Sequence, residues 1–429
     1  MLCRFFILAF GFLYAVVPVL GQDVDVLDYE SEPINYSRCT PENAISRLNA
    51  ALASGKTKLR HDDKSGYLLS TLETLKIPLS SQILTFAKTS KQADRIRPKT
   101  PRAIYFSDDA FVGFVHGEGH GPHGPVILEL AVTDPKLGVV FYSLSQTKVD
   151  SPTFTRESNS CMTCHGGPKT RGVPGLLIRS VISDPEGRPI LAAGSYRTDH
   201  SSPLAQRWGG WYVTGKHGEQ THLGNYIAPT SKKPKTIDNT NGLNVVELGE
   251  RINVKDYLKP HSDLVALMVL EHQIDAINYI TRAKFESQLA EAGKGNSQRI
   301  VDAVELLVRH LLFSGETELK APLTGTSGFA SDFANRGPKD KSGRSLRQFD
   351  LKNRLFKYPL SYMIYSSAFE TLPVDLKLAV FRRLWEVLTV NDAGQEFAHL
   401  SATDKSAIQE IVRETVPGLP DFWVGKTDR

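Results

Sequence analysis

The sequence predicts an α+β fold: a β-rich central region flanked by an N-terminal helical segment and a helical C-terminal part. Three observations carry this. Helix start and stop signals bracket the residues before about 100. From about 103 to 213 apolar residues tend to alternate, the period of a pleated strand. From about 263 onward the apolar spacing becomes helical. The chain divides accordingly into 1–21, 22–100, 101–250 and 251–429.

Residues 1–21 read as a secretory signal peptide. A cationic start at Arg4 precedes an apolar run from Phe5 to Val17, and Val19-Leu20-Gly21 makes a small-residue cleavage site. The run is short for a membrane span, and no later stretch is long and apolar enough for one. Taken with the Cys161-Met162-Thr163-Cys164-His165 segment considered below, the leader gives an expected localisation in the periplasm or the exterior of a bacterium, with no membrane span once it is removed. Asn35-Tyr36-Ser37 fits a glycosylation sequon, expected to be unused there. Net charge is +4 over 429 residues. That is too weak to argue for nucleic acid.

A helix is expected from Thr40-Pro41-Glu42 to Gly55, with Thr as N-cap and Pro in the first turn. Two more are expected over 66–75 and 82–91. Strands follow at Ala103–Ser107, Phe111–His116, Val126–Val132 and Val139–Leu144, with a turn at Asp134-Pro135-Lys136-Leu137-Gly138. Gly175–Ile182 and Ile190–Tyr196 read as a hairpin, and 208–213 continues the style. Asp263–Arg282 reads as one strongly apolar helix. Ile300, Val304, Leu307 and Leu311 form a stripe, as do Leu376, Val380, Leu384 and Val387. Thr403 is expected to cap a last helix before Pro417.

The most informative segment is Cys161-Met162-Thr163-Cys164-His165. CxxCH is the attachment signature of c-type haem. Two thiols three residues apart can each add to a vinyl group of one porphyrin, and the adjacent His is placed to bind the iron. Cys161 and Cys164 are thus candidate thioether positions, and His165 the proximal iron ligand. With 4 Cys and 12 His in the chain, chance would give this pattern roughly once in a thousand such chains. A four-cysteine zinc site is impossible, because only Cys39 remains once Cys3 leaves with the leader. A thiol–disulfide oxidoreductase would carry CxxC into a helix, whereas Gly166-Gly167-Pro168 is a poor helix continuation.

The sixth iron ligand separates electron transfer from ligand chemistry. His272, His200 and Met268 are the distal candidates, in that order, with Met363 after them. Met268 and His272 are four apart on one helix face, and Asp199 is placed to orient His200. For each Met, core packing is the competing role. Arg179, Arg197, Trp208 and Trp211 are candidates to hold haem propionates. The loop His116–Gly124 holds three His, and its glycines favour a hairpin loop over a preorganised metal site. Residues 332–357 carry eight Lys or Arg against three Asp, a solvated stretch or a docking face for an acidic redox partner.

The set Cys161–His165, Gly172-Val-Pro-Gly175, Thr198-Asp-His-Ser-Ser-Pro203, Trp208-Gly-Gly-Trp-Tyr-Val-Thr-Gly215 and Phe356-Lys-Tyr-Pro359 resembles a group of exported bacterial single-haem cytochromes c, of the kind common in planctomycetes. The resemblance covers most of the mature chain. It implies one covalent haem c and electron transfer with a redox partner protein or a small electron donor or acceptor. It implies no substrate. The alternatives are a haem enzyme or gas- or peroxide-binding protein with an open iron, and a haem-free CxxC thiol oxidoreductase.

Overall fold

The computed structural model describes residues 25–117, 120–121, 124–390 and 394–424. The leader expected over 1–21 lies outside them. The fold is α+β, as the sequence predicts.

Its centre is a seven-stranded antiparallel sheet. In chain order its strands are β1 (Ile83–Thr85), β2 (Arg102–Phe106), β3 (Ala110–Val115), β4 (Ile127–Asp134), β5 (Gly138–Ser145) and β6 (Thr155–Arg156). A separate ribbon pairs β7 (Arg179–Val181) with β8 (Ser195–Arg197), and β9 (Trp211–Tyr212) returns to the main sheet. The spatial order is β9-β1-β2-β3-β4-β5-β6. Side chains alternate between faces, and both faces are covered. Phe106, Phe111, Val139 and Phe141 face the core shared with the C-terminal helices. Tyr105, Val112, Leu130 and Val140 face the N-terminal segment.

The N-terminal segment holds α1 (Ala44–Ala53) and α2 (Leu68–Thr74). Asn43, not Thr40, caps α1: its side chain accepts from the Ile45 and Ser46 amides. The helix expected over 82–91 is absent. Ile83–Thr85 is a strand paired on one side with β2 and on the other with β9. Ile83 and Leu84 with β-branched Thr85, all buried, suit a strand covered on both faces, and tertiary pairing overrides the weak helical pattern.

Behind the CxxCH turn α3 (Met162–His165) comes α4 (Leu264–Glu291), 28 residues and about 42 Å long. Asp263 caps it by accepting from the Val265 and Ala266 amides. Of its residues, 23 are buried. It is therefore the spine of the molecule, between the sheet and α5 (Ser297–Leu311), α6 (Val374–Thr389) and α7 (Ala402–Thr415). The expected stripes on α5 and α6 are buried as predicted, apart from half-buried Ile300. Ser401, rather than Thr403, caps α7 through a reciprocal box with Asp404. No helix among the described residues is long and apolar enough to cross a membrane.

Three arginines of the basic stretch 332–357 are tied into the fold, while Lys339, Lys341, Lys352 and Lys357 are exposed. Arg344 pairs with Asp340 and Glu410, Arg354 with Asp404, and Arg347 with Asp108 while lying over the Phe333 and Tyr362 rings. Arg344 and Arg354 tie the stretch to α7, and Arg347 ties it to the β2–β3 turn.

Leu267 is fully buried at the middle of this packing. Leu267→Ala is expected to cost about 2–5 kcal/mol, read as a lowered midpoint of chemical denaturation with no change in the secondary-structure signal.

Candidate functional site

Residues 161–165 form a single helical turn. The Cys161 carbonyl accepts from the Cys164 amide (3.2 Å) and the His165 amide (3.0 Å), and the turn stops at Gly166. Positions i, i+3 and i+4 of a turn share a face, so Cys161, Cys164 and His165 project to the same side. Both thiols are free, Cys161 half-buried and Cys164 exposed. The His165 ring packs against Phe141 of β5 at 4.8 Å between centroids.

One residue fixes His165 twice. The Gly175 amide donates to the His165 carbonyl (2.9 Å), and the Gly175 carbonyl accepts from His165 Nδ1 (2.9 Å). A carbonyl can only accept, so Nδ1 carries the proton and Nε2 keeps its lone pair. This is how metal-binding imidazoles are oriented in general. Burial lowers the pKa of His165, which favours the neutral ring a metal requires.

The loop after the motif is clamped to α4. Asn278 accepts from the Leu176 amide (2.9 Å) and donates to the Leu176 carbonyl (2.8 Å). Gly175 passes so close that a Cβ there would lie 2.2 Å from Asn278 Oδ1. Gly172 has φ +72°, and a Cβ would meet the Asp25 carbonyl at 2.2 Å. Gly172 is thus required by its left-handed backbone, and Gly175 by the close approach of the Asn278 side chain. Arg171 completes the clamp through Asp275, at 2.9 Å.

A second constellation sits one turn along α4. His200 and His272 are brought together, and the structure adds His310, which the sequence analysis missed. His200 Nδ1 and His272 Nδ1 are 3.1 Å apart. His272 is stacked between the His310 ring (4.6 Å, 6°) and the Phe313 ring (4.2 Å, 15°). The remaining nitrogens meet oxygens. His200 Nε2 donates to the Ser314 carbonyl (3.3 Å), and His310 Nε2 donates to the His272 carbonyl (3.0 Å). His272 Nε2 lies 2.7 Å from Ser361 Oγ. All three rings are buried. Burial holds His200 down to about 3 and His272 and His310 below the usual histidine range, with charge repulsion from His310 adding to the depression of His200 and His272. The rings are therefore neutral at ordinary pH.

Asp275 joins the two constellations. It receives Arg171 and Arg197 (2.6 Å) and lies 4.0 Å from His310 Nδ1. Those two guanidinium groups are its strongest partners after burial, and its carboxyl stays well below the ordinary range. Arg197 also holds Asp199 (2.8 Å), which caps its own loop by accepting from the Ser201 amide. Glu271 meets Arg207 at 3.1 Å, yet burial pushes its carboxyl up to about 7.

The other sequence candidates fall elsewhere. Met268 packs in the apolar core, as does Met363. Arg197 is occupied by Asp199 and Asp275, and Arg179 donates to Ser195 Oγ. Trp208 is fully buried, and Trp211 Nε1 donates to the Arg179 carbonyl. In the glycine loop, His120–Gly121 pairs with Gly124–Pro125, and residues 118, 119, 122 and 123 lie outside the described set. His310 escaped notice because it follows Arg309 in the last turn of α5, where a basic residue normally offsets the helix dipole.

Two expectations follow. A histidine neutral in the fold but free to protonate when unfolded gives the unfolded state more protons below about pH 6.5. Stability should therefore fall as pH drops from about 6.5 toward about 3, with each such ring adding up to about 1.4 kcal/mol per pH unit. Asp275, with its depressed pKa, adds a further loss only below about pH 4. Denaturation midpoints measured from about pH 7 to about pH 5 check this, and a flat profile contradicts it. Asp275→Asn should cost about 3 kcal/mol, since Arg171 and Arg197 lose their common countercharge. No protein-family model matches the chain, and neither a curated protein nor a solved structure shows significant similarity to it.

Proposed function

We propose that this chain is an exported, periplasmic c-type cytochrome that carries one covalent haem c and transfers electrons to or from a redox partner. The observation that supports it best is the shared face of Cys161, Cys164 and His165, with the proton of His165 committed to the Gly175 carbonyl. The donor set fits the group: two unpaired thiols for thioether bonds and one neutral imidazole with Nε2 available. A haem supplies a one-electron iron couple. The chain's part is to hold and orient it. Asn278 and the Arg171–Asp275 pair fix the loop that fixes Gly175, and Phe141 backs the imidazole.

The same geometry weighs against a haem-free thiol oxidoreductase. Burial, reinforced by Glu157 and Glu129, pushes the Cys161 thiol up to about 11. A redox-active thiol needs the opposite shift.

One observation favours a second reading at the iron's far side. His200 and His272 turn their Nδ1 atoms toward each other and their Nε2 atoms toward Ser314 and Ser361, and Met268 is packed in the core. All three are engaged elsewhere in the fold, which supports an open iron able to bind carbon monoxide, oxygen, peroxide or nitrogen oxides.

The test is the optical spectrum of the mature protein made alongside a haem-attachment system, oxidised, reduced, and reduced with carbon monoxide. Haem that stays with the denatured wild-type chain but is lost from the Cys161→Ser, Cys164→Ser double variant is expected. His165→Ala should keep the haem covalently bound and abolish the native iron spectrum. A shift on adding carbon monoxide assigns an open site, and an unmoved low-spin spectrum assigns a closed electron carrier. Absence of covalent haem in the wild type overturns the reading.

A further inference from the structure

The geometry points to a second metal centre, separate from the CxxCH turn: His200, His272 and His310 form a three-imidazole site for a divalent first-row transition ion such as zinc or copper. The three residues each bring a ring nitrogen within 4.8 Å of the others, and all are buried.

The hydrogen bonds decide which nitrogens are available. His200 and His310 each donate Nε2–H to a backbone carbonyl, so both keep an unprotonated Nδ1. His200 Nδ1 faces His272 Nδ1 at 3.1 Å. With His272 Nε2–H donated to Ser361 Oγ, the two Nδ1 lone pairs face each other and a cation between them satisfies both; without the ion, the other tautomer joins the rings by an Nδ1–H···Nδ1 hydrogen bond and accepts from the Ser361 hydroxyl at Nε2. The first pattern, with one ring nitrogen donating to an oxygen and the other turned inward, is the usual outer shell of a metal-bound histidine. Neutral imidazole suits zinc, copper, nickel and iron, whereas calcium and magnesium prefer oxygen.

Distances agree for the first pair. Ligands at about 2.0–2.1 Å around a tetrahedral ion lie about 3.3 Å apart. The third ring must move. His272 and His310 are parallel within 6°, and lone pairs in parallel planes do not meet at a point. Loading therefore requires His310 to tilt out of the stack and move inward, closing nitrogen separations of up to 4.8 Å toward about 3.3 Å. Asp275, 4.0 Å from His310 Nδ1, stands where a carboxylate offsets part of the ion's charge.

The experiment counts metals in the full-length haem-loaded protein, grown with added zinc and copper. Total metal by mass spectrometry is compared with haem measured separately. One non-haem ion per chain is expected, with an absorption edge showing imidazole nitrogens at about 2.0–2.1 Å. His310→Gln is the decisive variant, because the Gln amide can still donate to the His272 carbonyl while the inward nitrogen is gone. It should fold, with an unchanged circular dichroism spectrum, and lose the ion. If it fails to fold, Ser361→Ala serves instead: it removes the outer-shell acceptor and should weaken retention of the ion against a chelator. Background metal in the wild type overturns the proposal, as does full retention in folded His310→Gln. The Cys161→Ser, Cys164→Ser variant keeps the two readings apart, since it should lose haem and keep the non-haem ion.

Discussion

Everything near the site depends on one constraint: α4 is buried along most of its length although its middle and end carry ionised side chains. A buried charge without a partner costs several kcal/mol, so each demands a counterpart from outside the helix. Arg207 answers Glu271, Arg171 and Arg197 answer Asp275, and Arg299 joins Arg282 at Glu286. Lys284 is met by the Pro135 carbonyl and Thr371. The partners of the first two acids come from the loops that follow the CxxCH turn and the β7–β8 ribbon. Burying α4 therefore fixes the position of both loops.

The consequence is a rigid connection between two parts of the chain that the sequence presents as unrelated. Arg171 lies six residues after His165 and ends on Asp275. Asp275 is three residues after His272, almost one turn, so the two side chains lie on the same side of α4. His200, from the ribbon's following loop, is held by the same cluster, because Arg197 bridges Asp199 and Asp275. Arg207 donates to the His200 carbonyl at 2.8 Å while pairing with Glu271. A short chain of ion pairs, through Asp275, thus links the histidines to the loop that carries Gly175. Ion pairs and hydrogen bonds of this kind transmit small displacements because the packed interior leaves little room for independent movement.

How much of this could be read from the sequence follows from the physics of each signal. The CxxCH motif was legible as a spacing, since it is local, but that residues 161–165 close into one helical turn was not legible from it. The strands from 102 to 145 were legible because alternation is also local. Residues 82–91 were not, because Ile83-Leu84-Thr85 lacks a decisive period and its state is set by pairing with β2 and β9, distant in sequence. Two of the distal-ligand candidates, His200 and His272, do meet, but in company with His310, whose position after Arg309 looked like ordinary helix-end chemistry. A third histidine contributed by a separate helix leaves no mark in one-dimensional spacing. The Gly172–Gly175 motif was visible and unexplained. Its meaning required knowing that Asn278 and the Asp25 carbonyl approach the backbone there.

The cost of the polar interior says where the rest of the chain is spent. Holding a porphyrin by two thioethers and one imidazole needs little more than a turn and a backing ring. Yet the residues that enclose His200, His272 and His310 come from the loop after the β7–β8 ribbon, α4, α5 and the Phe356–Ser361 loop, which are far apart in the sequence. Three neutral imidazoles, three carboxyl groups and three guanidinium groups in one cluster are a poor source of stability compared with an apolar core of the same volume. A fold that only displayed a CxxCH turn would gain by replacing them with Leu and Phe. Their presence at the centre, with proton positions set by carbonyls on two of three rings, is the arrangement expected when the interior serves chemistry rather than packing.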